Sequence, residues 1–377
     1  MPRPIQAIIS TQAMAHNLAQ VRQRVTKMQA KAHTTHTFKT LAIIKANAYG
    51  HGTLNALKGF ADADGLGMID IEDTILCRQQ GWAKPIVLLE GFFHAADVEV
   101  LQQYRITTAI HSFYQIDYLK QAKVGLTPID VMVKFNTGMN RLGFRVEQTA
   151  EVLHTLKTLQ AQGIVGRIGC MSHFANADLS ADYVDSAAAE IISVSEAFDG
   201  PLSICNSAAS IRYPQLGIHG VENWLRPGIC LYGSVPFETT LTEFTPLSFK
   251  PAMTLAADII AIQILKAGDS VGYGSTFTAD REMKIAVVAC GYADGYPRSA
   301  ALDTPVTVDG QVARLVGRVS MDMLTIDITH LPQAKLGSRV VLWGEGGPSI
   351  DTIADKSGRI GYELMCGLTK RVPVQVI

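Results

Sequence analysis

Residues 40–50 read TLAIIKANAYG, an apolar run of strand length that ends at Lys45 and continues into small residues. Seven later runs share this form, and each ends in polar or charged residues. They are DGLGMIDIED (64–73), PIVLLEGF (85–92), ITTAIHSF (106–113), IDVMVKFNTG (129–138), GRIGCMSHF (166–174), LSICNSAAS (202–210) and WLRPGICLYG (224–233). Helix-like stretches such as 148–163 lie between them, with apolar residues at helical spacing before a glycine. Eight strands that alternate with helices predict an α/β fold built on a parallel (β/α)8 barrel of the TIM type.

Beyond about residue 246 the pattern changes to strand-like segments with few helical stretches between them. The segments are MTLAADIIAIQIL (253–265), MKIAVVACGYADG (283–295), TPVTVDGQVARLVGRV (304–319), LTIDITHL (324–331) and RVVLWGEGG (339–347). VDG and GEGG within them look like hairpin connections. We therefore predict a barrel domain over residues 1–245, with the first few residues as candidates for joining the other domain. A mostly antiparallel β domain is predicted over residues 246–377.

The composition argues against several classes of protein. The chain has 377 residues, of which 47% are hydrophobic and 18% charged, and its formal net charge is −1, so it lacks the basic footprint of a nucleic-acid-binding protein. The sequence shows no signal-peptide-like run and no apolar stretch of about 18 residues, which leads us to expect a cytoplasmic protein without a membrane partner. The cysteines are far apart, which favours buried free thiols over disulfides or a zinc site, and no other metal site is expected. They are Cys77, Cys170, Cys205, Cys230, Cys290 and Cys366.

Polar residues occur where each predicted barrel strand ends. They are Lys45, Asp70, Glu90, His111, Lys134, His173, Asn206 and Arg226. The carboxyl ends of the strands form the rim on which active sites of such barrels are built. One polar strand end could be an ordinary surface feature, but eight aligned cases favour a functional site.

Lys45 is the residue on this rim with the most distinctive chemistry. A lysine in an apolar site has a lowered pKa and can attack an aldehyde as a neutral amine. Tyr49, four residues later, is placed to bind a phosphate from the same side of a turn. A lone lysine at a strand end is nevertheless more often a solvated surface group, so these residues alone leave both interpretations open.

The Lys45 segment resembles the cofactor-lysine motif of the alanine racemases, a family of barrel-type (fold-type III) enzymes that use pyridoxal 5′-phosphate (PLP). Eight further blocks resemble the family in the same order along the chain. They are KFNTGMNRLGF (134–144), MSHFANAD (171–178), CNSAAS (205–210), RPGICLYG (226–233), VGYGSTF (271–277), GYADGYPR (291–298), GRVSMDM (317–323) and GYELMC (361–366). The resemblance implies an isomerase that interconverts L- and D-alanine as a homodimer whose active sites are shared between subunits.

The resemblance also implies roles at the cofactor. Lys45 would hold PLP as a Schiff base and serve as one of two acid–base groups, and Tyr273 of the other subunit would be the second. Arg226 would face the pyridine nitrogen, which it leaves unprotonated because a guanidinium only donates hydrogen bonds. His173 would connect Tyr273 to Arg226. The residues that would bind the cofactor phosphate are Tyr49, Asn206, Ser207, Gly228, Ile229 and Tyr362.

Further roles implied by the resemblance concern the substrate. Arg141 would bind its carboxylate, helped by Met321 of the other subunit. Lys134 matches a lysine that is carbamylated in many relatives, which makes it a candidate N6-carboxylysine. Positions that line the access corridor in relatives correspond to Asp178, Tyr292, Arg298 and Arg318. Three residues depart from the commonest family pattern: Asn136 replaces Asp, Asn140 replaces Gly or His, and Ser320 replaces Cys.

Other functions remain open at this point. A racemase of broader specificity, acting on serine or other small amino acids, has no clean discriminator in the sequence. A non-catalytic PLP-binding protein of the small single-barrel family is disfavoured by the second domain, and a PLP decarboxylase by Arg226, since those enzymes place a carboxylate at the pyridine nitrogen. The physiological role could be the supply of D-alanine for peptidoglycan or the breakdown of alanine.

Overall fold

The computed structural model describes residues 3–33, 36–179, 181–220, 222–237 and 247–377. The domain boundary predicted between residues 245 and 246 lies outside these described residues. Strand β1 (Ile5–Ile9) and helix α1 (Thr11–Lys31) precede the barrel. Ser10 caps α1 by accepting a hydrogen bond from the Ala13 amide at 3.1 Å.

Eight parallel strands close into a barrel, each paired with its neighbours in chain order and the last with the first. They are β2 (Thr37–Ile43), β3 (Gly65–Met68), β4 (Ile86–Leu88), β5 (Thr107–Ile110), β6 (Ile129–Lys134), β7 (Val165–Met171), β8 (Leu202–Ser203) and β9 (Glu222–Leu225). Every predicted strand run overlaps one of them, so the (β/α)8 prediction is confirmed. The apolar runs form strands because the barrel interior and the surrounding helices bury both of their faces.

A short left-handed turn, α2 (Lys45–Tyr49), follows β2. Helices follow the barrel strands and cover the outside of the barrel. They are α3 (Thr53–Gly59), α4 (Ile71–Gln79), α5 (Asp97–Tyr104), α6 (Phe113–Leu119), α7 (Thr149–Ala161), α8 (Ala181–Ser195) and α9 (Ser207–Arg212). The helix expected over residues 148–163 is α7, and Gly163 follows it with a φ of +75°. Within the described residues, no helix has both the length and the apolar character to span a membrane.

The second domain is mostly β, as predicted. Its strands are β10 (Met253–Leu265), β11 (Ser270–Val271), β12 (Phe277–Thr278), β13 (Met283–Val288), β14 (Pro305–Val308), β15 (Gln311–Leu315), β16 (Leu324–Asp327), β17 (Arg339–Trp343) and β18 (Val374–Val376). Apart from the β11–β12 pair, they form an eight-stranded sheet in the order β13-β16-β15-β14-β17-β10-β1-β18. Strand β1 thus joins this sheet, antiparallel to β10 and parallel to β18.

The two predicted hairpin connections have different outcomes. VDG turns β14 into β15, with positive φ angles of 47° at Asp309 and 84° at Gly310, as a two-residue hairpin turn requires. The prediction for GEGG was wrong. Gly344–Gly347 leads from β17 into helix α10 (Ile350–Ser357), which Ser349 caps, and helix α11 (Gly361–Cys366) follows. Three glycines and an acidic residue mark a turn, but they do not fix which element comes next.

The six cysteines all lie in described residues and are free thiols. Five are buried, as expected, whereas Cys366 at the end of α11 is exposed. Burial raises the pKa of the Cys170, Cys205 and Cys230 thiols to about 12, so these groups stay protonated and act as small apolar side chains.

Candidate active site

A cavity of about 780 Å³ opens at the carboxyl ends of the barrel strands. Six of the eight predicted rim residues line it: Lys45, Glu90, Lys134, His173, Asn206 and Arg226. The other two do not line it. Asp70 is the residue that precedes helix α4, and His111 Nε2 lies 3.1 Å from the Glu90 carbonyl oxygen. Helices α10 and α11 of the second domain cover part of the cavity and contribute Tyr362, Asp351 and Gly361.

Lys45 is followed by a left-handed turn. Ala46, Asn47, Ala48 and Tyr49 have φ angles of 53°, 51°, 53° and 52°. Each such residue costs an L-amino acid about 1–2 kcal/mol, so surrounding contacts must hold the turn in place. One contact is His51, whose Nδ1 lies 3.0 Å from the Ala48 carbonyl oxygen and 2.9 Å from that of Tyr49. The turn directs both Lys45 and Tyr49 into the cavity.

The backbone packs closely on the far side of this turn. A Cβ added to Gly50 would lie 2.1 Å from the Met365 carbonyl oxygen, so helix α11 rests directly against residue 50. Gly50 has a φ of +80° and therefore meets both the conformational and the steric demand of this position. This contact ties the second domain to the segment that carries Lys45.

The electrostatic environment of Lys45 disfavours its charged form. Burial lowers the pKa of Lys45 most, and the positive charge of Arg141 lowers it further, while Glu90 acts in the opposite direction. A lysine with a lowered pKa is more often a neutral amine, the form that can attack a carbonyl group or accept a proton. The sequence placed Glu90 on the rim and gave it no role. In the structure, the negative charge of Glu90 raises the pKa of both Lys45 and Lys134, against the effect of burial.

A polar cradle lies at the ends of β8 and β9. The Gly228 amide donates to Ser207 Oγ at 2.7 Å, and Asn206 caps helix α9 by accepting from the Ala209 amide at 2.9 Å. A Cβ on Gly228 would lie 2.6 Å from the Tyr49 hydroxyl, so only glycine lets that phenol approach the backbone. Ile229 begins a short 3-10 turn (Ile229–Tyr232) directly after it. Tyr362 completes the cradle, its ring centroid 5.8 Å from that of Tyr49.

The donor groups of the cradle suit a phosphate. Hydroxyl groups and backbone N–H groups at the start of helical turns are the usual ligands of such dianions, and the loops after the last two barrel strands are a common place for them. All six residues expected to bind a cofactor phosphate lie in or beside this cradle. They are Tyr49, Asn206, Ser207, Gly228, Ile229 and Tyr362.

Arg226 is buried at the end of β9, and its side chain is 5% exposed. Its guanidinium donates at 2.6 Å to both the carbonyl oxygen and the Oγ of Ser203, and it also donates to the Ser172 carbonyl oxygen. Burial lowers its pKa to about 10, which leaves it charged at neutral pH. Sequence reasoning missed these two serines. The signal available was their position in or just after the apolar strands β7 and β8, where a small polar residue needs a buried partner.

His173 lies beside this guanidinium, with Nδ1 3.5 Å from an Arg226 nitrogen. Burial lowers the pKa of His173 well below its ordinary value, and the charges of Arg226, Lys134 and Arg141 lower it further. The imidazole is therefore neutral. Because a guanidinium can only donate, Nδ1 is the acceptor and the ring proton lies on Nε2.

Lys134 is 7% exposed, and its Nζ donates to the Leu89 carbonyl oxygen at 3.2 Å. Burial lowers its pKa to about 8, helped by the positive charges of Arg226 and Arg141. Arg141 lines the same cavity. The structure therefore concentrates positive charge on one side of the cavity, where an anionic group would be stabilised.

The two asparagines that depart from the family pattern build the loop before Arg141. Asn136 Oδ1 accepts from the Asn140 amide at 2.9 Å, and Asn136 Nδ2 donates to Asn140 Oδ1 at 3.1 Å. Asn140 has a φ of +54°, a left-handed conformation that asparagine tolerates better than most residues. The two asparagines thus close the loop that carries Arg141.

Five of the residues expected at the site lie outside the cavity of their own chain, on the surface of the second domain. Tyr273 is 73% exposed, Met321 51% and Tyr292 38%, and Arg298 and Arg318 are also exposed. The loop that carries Tyr273 runs beside Arg318, since a Cβ on Gly274 would lie 3.4 Å from that guanidinium. Asp178, the remaining corridor residue, does line the cavity. The expected site is therefore divided between two separate surfaces of one chain.

Comparisons of the sequence and of the structure with known proteins indicate the same family. Sequence models described as "Alanine racemase, N-terminal domain" and "Alanine racemase, C-terminal domain" match residues 9–236 and 252–376. Alanine racemases from Bordetella avium and Bordetella petrii are each 48% identical to the chain, over all of its length and 99% of theirs. A solved structure, the biosynthetic alanine racemase from Pseudomonas aeruginosa, superposes with a TM-score of 0.88 at 37% identity, covering 100% of this chain and 99% of that one. The alanine racemase from Acinetobacter baumannii gives 0.86 at 37% identity, with both chains covered in full.

Proposed function

The chain belongs to the alanine racemase family and interconverts L- and D-alanine, and from this premise we propose that Lys45 and the Tyr273 of a second subunit are the two proton-transfer groups of a PLP-dependent reaction. The observation that carries the proposal is the division of the site. Lys45 lies in the cavity with Arg226 and His173, whereas Tyr273 is exposed on another surface of the same chain.

The family uses PLP, and the residues of this cavity fit that cofactor. Lys45 would hold it covalently through Nζ, the cradle around Ser207 and Gly228 would bind its phosphate, and Arg226 would face its pyridine nitrogen. When bound, PLP supplies a conjugated ring that takes up the electrons left at Cα as its proton departs. Because Arg226 remains charged and only donates, it would leave the ring nitrogen unprotonated, which would moderate that electron withdrawal.

Racemisation requires a proton to leave one face of Cα and another to arrive on the opposite face. The lowered pKa of Lys45 increases the fraction of its amine that can accept a proton. A tyrosine is the complementary group, because its phenol can donate a proton and its phenolate can accept one. Lys45 and Tyr273, one on each face of Cα, can thus serve the two directions of the reaction.

His173 would tune the phenol. Its Nδ1 accepts from Arg226, so its Nε2–H is free to donate to the Tyr273 oxygen of the other subunit. A donor aimed at that oxygen, backed by the Arg226 charge, stabilises the phenolate relative to the phenol. The substrate carboxylate would be bound by Arg141 and by the Met321 amide of the other subunit. These assignments require a homodimer.

The activity test begins with the PLP-loaded protein and L-alanine. We expect optical rotation to fall as D-alanine accumulates to an equal mixture, and we expect no change with Lys45→Ala. Absence of racemisation by the PLP-loaded parent protein would overturn the proposal.

In deuterated water, Tyr273→Phe should impair exchange at Cα for one enantiomer far more than for the other, and equal loss for both would contradict the two-base scheme.

Mixing two inactive variants tests whether the site is shared. A dimer of one Lys45→Ala chain and one Tyr273→Phe chain contains one site with both groups intact. Random mixing should therefore restore about a quarter of the parent activity. If Tyr273 served its own chain, no mixed dimer would hold a complete site and no activity would return.

A further inference from the structure

We propose that Asp294 is a positioning residue that presents the Met321 amide to the active site of the other subunit. This inference rests on the proposed function, in which Met321 binds the substrate carboxylate across the dimer. Asp294 is fully buried in the second domain and does not line the cavity. The proton-transfer groups give no role to this buried carboxylate, which has two arginine partners and lies next to the Met321 loop, residues 316–323 between β15 and β16.

The carboxylate of Asp294 is held from several directions. Arg3 Nη1 donates to its two oxygens at 3.0 and 3.1 Å, and Arg371 Nε lies 3.3 Å from Oδ1. Oδ2 also accepts from the Gly291 amide at 3.0 Å, which closes the turn formed by residues 291–294. Three distant parts of the chain are therefore tied together at one charged group.

The turn closed by Asp294 carries the loop that contains Met321. The Tyr292 amide donates to the Ser320 carbonyl oxygen at 3.0 Å, and the Ala293 amide donates to the Met321 carbonyl oxygen at 2.9 Å. A Cβ on Gly291 would lie 2.4 Å from each of these two carbonyl oxygens, so the two backbones are in direct contact. A shift of the turn would shift Met321 with it.

The same two arginines bind the loop on the other side of Met321. Arg3 donates to the Asp322 carbonyl oxygen, and Arg371 Nη2 donates to Asp322 Oδ1 at 2.7 Å. The loop is thus held through the carbonyl oxygens of residues 320 and 321 and through Asp322. In contrast, the Met321 N–H has no hydrogen-bond partner among the described residues, and the Met321 side chain is 51% exposed.

This arrangement holds the loop around Met321 and leaves the Met321 N–H without a partner among the described residues. A preorganised N–H binds a carboxylate better than one that must be ordered on binding, because the ordering cost has already been met. Loss of the Asp294 charge leaves two arginines without their shared buried partner and releases the turn. The substrate carboxylate is present in both the ground state and the transition state, so the loss should appear mainly in KM.

The test uses purified dimers of two differently tagged chains, so that the single working site is known. In the first dimer, a Lys45→Ala/Asp294→Asn chain is paired with the parent chain, and the only Lys45 is served by the altered Met321 loop. In the second, an Asp294→Asn chain is paired with a Lys45→Ala chain, and the only Lys45 is served by an unaltered loop. We expect KM for alanine to rise about tenfold in the first dimer with kcat within about threefold, and neither to change in the second.

Tyr273→Phe in place of Asp294→Asn separates the two levels of inference. It should abolish activity in the first type of dimer alone. If it shows no such asymmetry, the shared site is wrong and this inference falls with it. If Tyr273→Phe is asymmetric and Asp294→Asn affects both dimers equally, the shared site stands and the positioning role of Asp294 is overturned.

Arg371→Gln provides a second route should Asp294→Asn fail to fold. Its side chain is 41% exposed, and its removal leaves Arg3 on Asp294, so we expect a KM increase of about threefold with the same asymmetry between dimers. Arg314→Gln is the matched control. Arg314 is 40% exposed and also binds a buried aspartate, Asp327, but away from the Met321 loop, and it should leave KM unchanged. An equal KM increase with both arginine variants would overturn the proposal.

Discussion

The guanidinium of Arg226 lies 3.5 Å from Nδ1 of His173, and this contact couples a permanent charge to a neutral imidazole. The pKa of His173 is lowered first by burial and then by Arg226. We predict that His173 is neutral at pH 7 in the parent protein. In Arg226→Gln one cause of the lowering is removed, so its pKa should rise while burial still keeps it below about 6.5. Nitrogen-15 NMR of labelled histidines, assigned with His173→Asn, measures this, and a His173 titration near pH 6.5 in the parent would refute it.

Lys134 should react with carbon dioxide. With its pKa at about 8, roughly a tenth of the amine is neutral at pH 7, against less than a thousandth at the ordinary value. The neutral fraction of Lys134, and with it the carbamate, increases as pH rises through 8. A carbamate would also replace a cation beside Arg141 and Arg226 with an anion. Carbon-13 NMR with labelled bicarbonate at pH 8.5 should show one protein-bound carbamate, absent in Lys134→Met, and no signal in the parent would contradict the prediction.

Gly228 and Tyr49 should be coupled in PLP binding. A Cβ at residue 228 would lie 2.6 Å from the Tyr49 hydroxyl and would displace it. We expect Gly228→Ala to weaken PLP binding at least about tenfold, but by much less in a Tyr49→Phe background, where the obstructing oxygen is absent. Spectroscopic titration of the PLP-free protein gives the four dissociation constants. Strictly additive effects would show that the clash is relieved elsewhere.

The left-handed turn after Lys45 makes an unusual stability prediction. Ala46 is exposed with a φ of 53°, a conformation that glycine adopts at little cost. Ala46→Gly should therefore raise the free energy of unfolding by about 0.5–1 kcal/mol. Ala189, exposed in the middle of the right-handed helix α8, is the matched control, and Ala189→Gly should lower it by about 1 kcal/mol. Urea denaturation measures both, and destabilisation by Ala46→Gly would contradict the strain argument.

His51 should make the fold sensitive to acid. Its side chain is 1% exposed, and burial lowers its pKa from 6.5 to about 4. Between these values the unfolded chain binds a proton that the folded protein does not, so stability falls as pH decreases, by about 3 kcal/mol in all. His51→Asn should be less stable at pH 7 but should lose less stability between pH 6.5 and pH 4. Parallel slopes for the two proteins in urea denaturation at a series of pH values would exclude His51 as the cause.

The sequence predicted the barrel well because its signals are local. Each strand is a short apolar run, and each run ends in polar residues, so strand positions and the rim follow from the same pattern. Lys45, Lys134 and Arg226 were placed on the cavity for this reason. Asp70 and His111 obey the same pattern but do not line the cavity, since a strand end gives the height of a residue in the barrel and not the direction of its side chain.

Other features depend on contacts that no local pattern contains. Alanine has little tendency to adopt a left-handed conformation, and the turn at residues 46–49 is maintained by His51 and by helix α11 from the far end of the chain. Ser172 and Ser203 matter because Arg226 reaches them across neighbouring strands. The link between Asp294 and the Met321 loop depends on Arg3 and Arg371, which only the folded structure brings together.

Strand β1 has a consequence for biosynthesis. Its neighbours in the sheet are β10, which begins at Met253, and β18, which begins at Val374, so a ribosome must complete hundreds of residues before β1 can pair on both sides. Until then the sequence IQAII is an unpaired apolar strand on the nascent chain, the kind of segment that recruits other strands. The barrel can close in the meantime, because its strands β2 to β9 all lie before β10 in the chain. We therefore expect chaperones to protect residues 5–9 during synthesis, and a circular permutant that places β1 after β18 to aggregate less while folding.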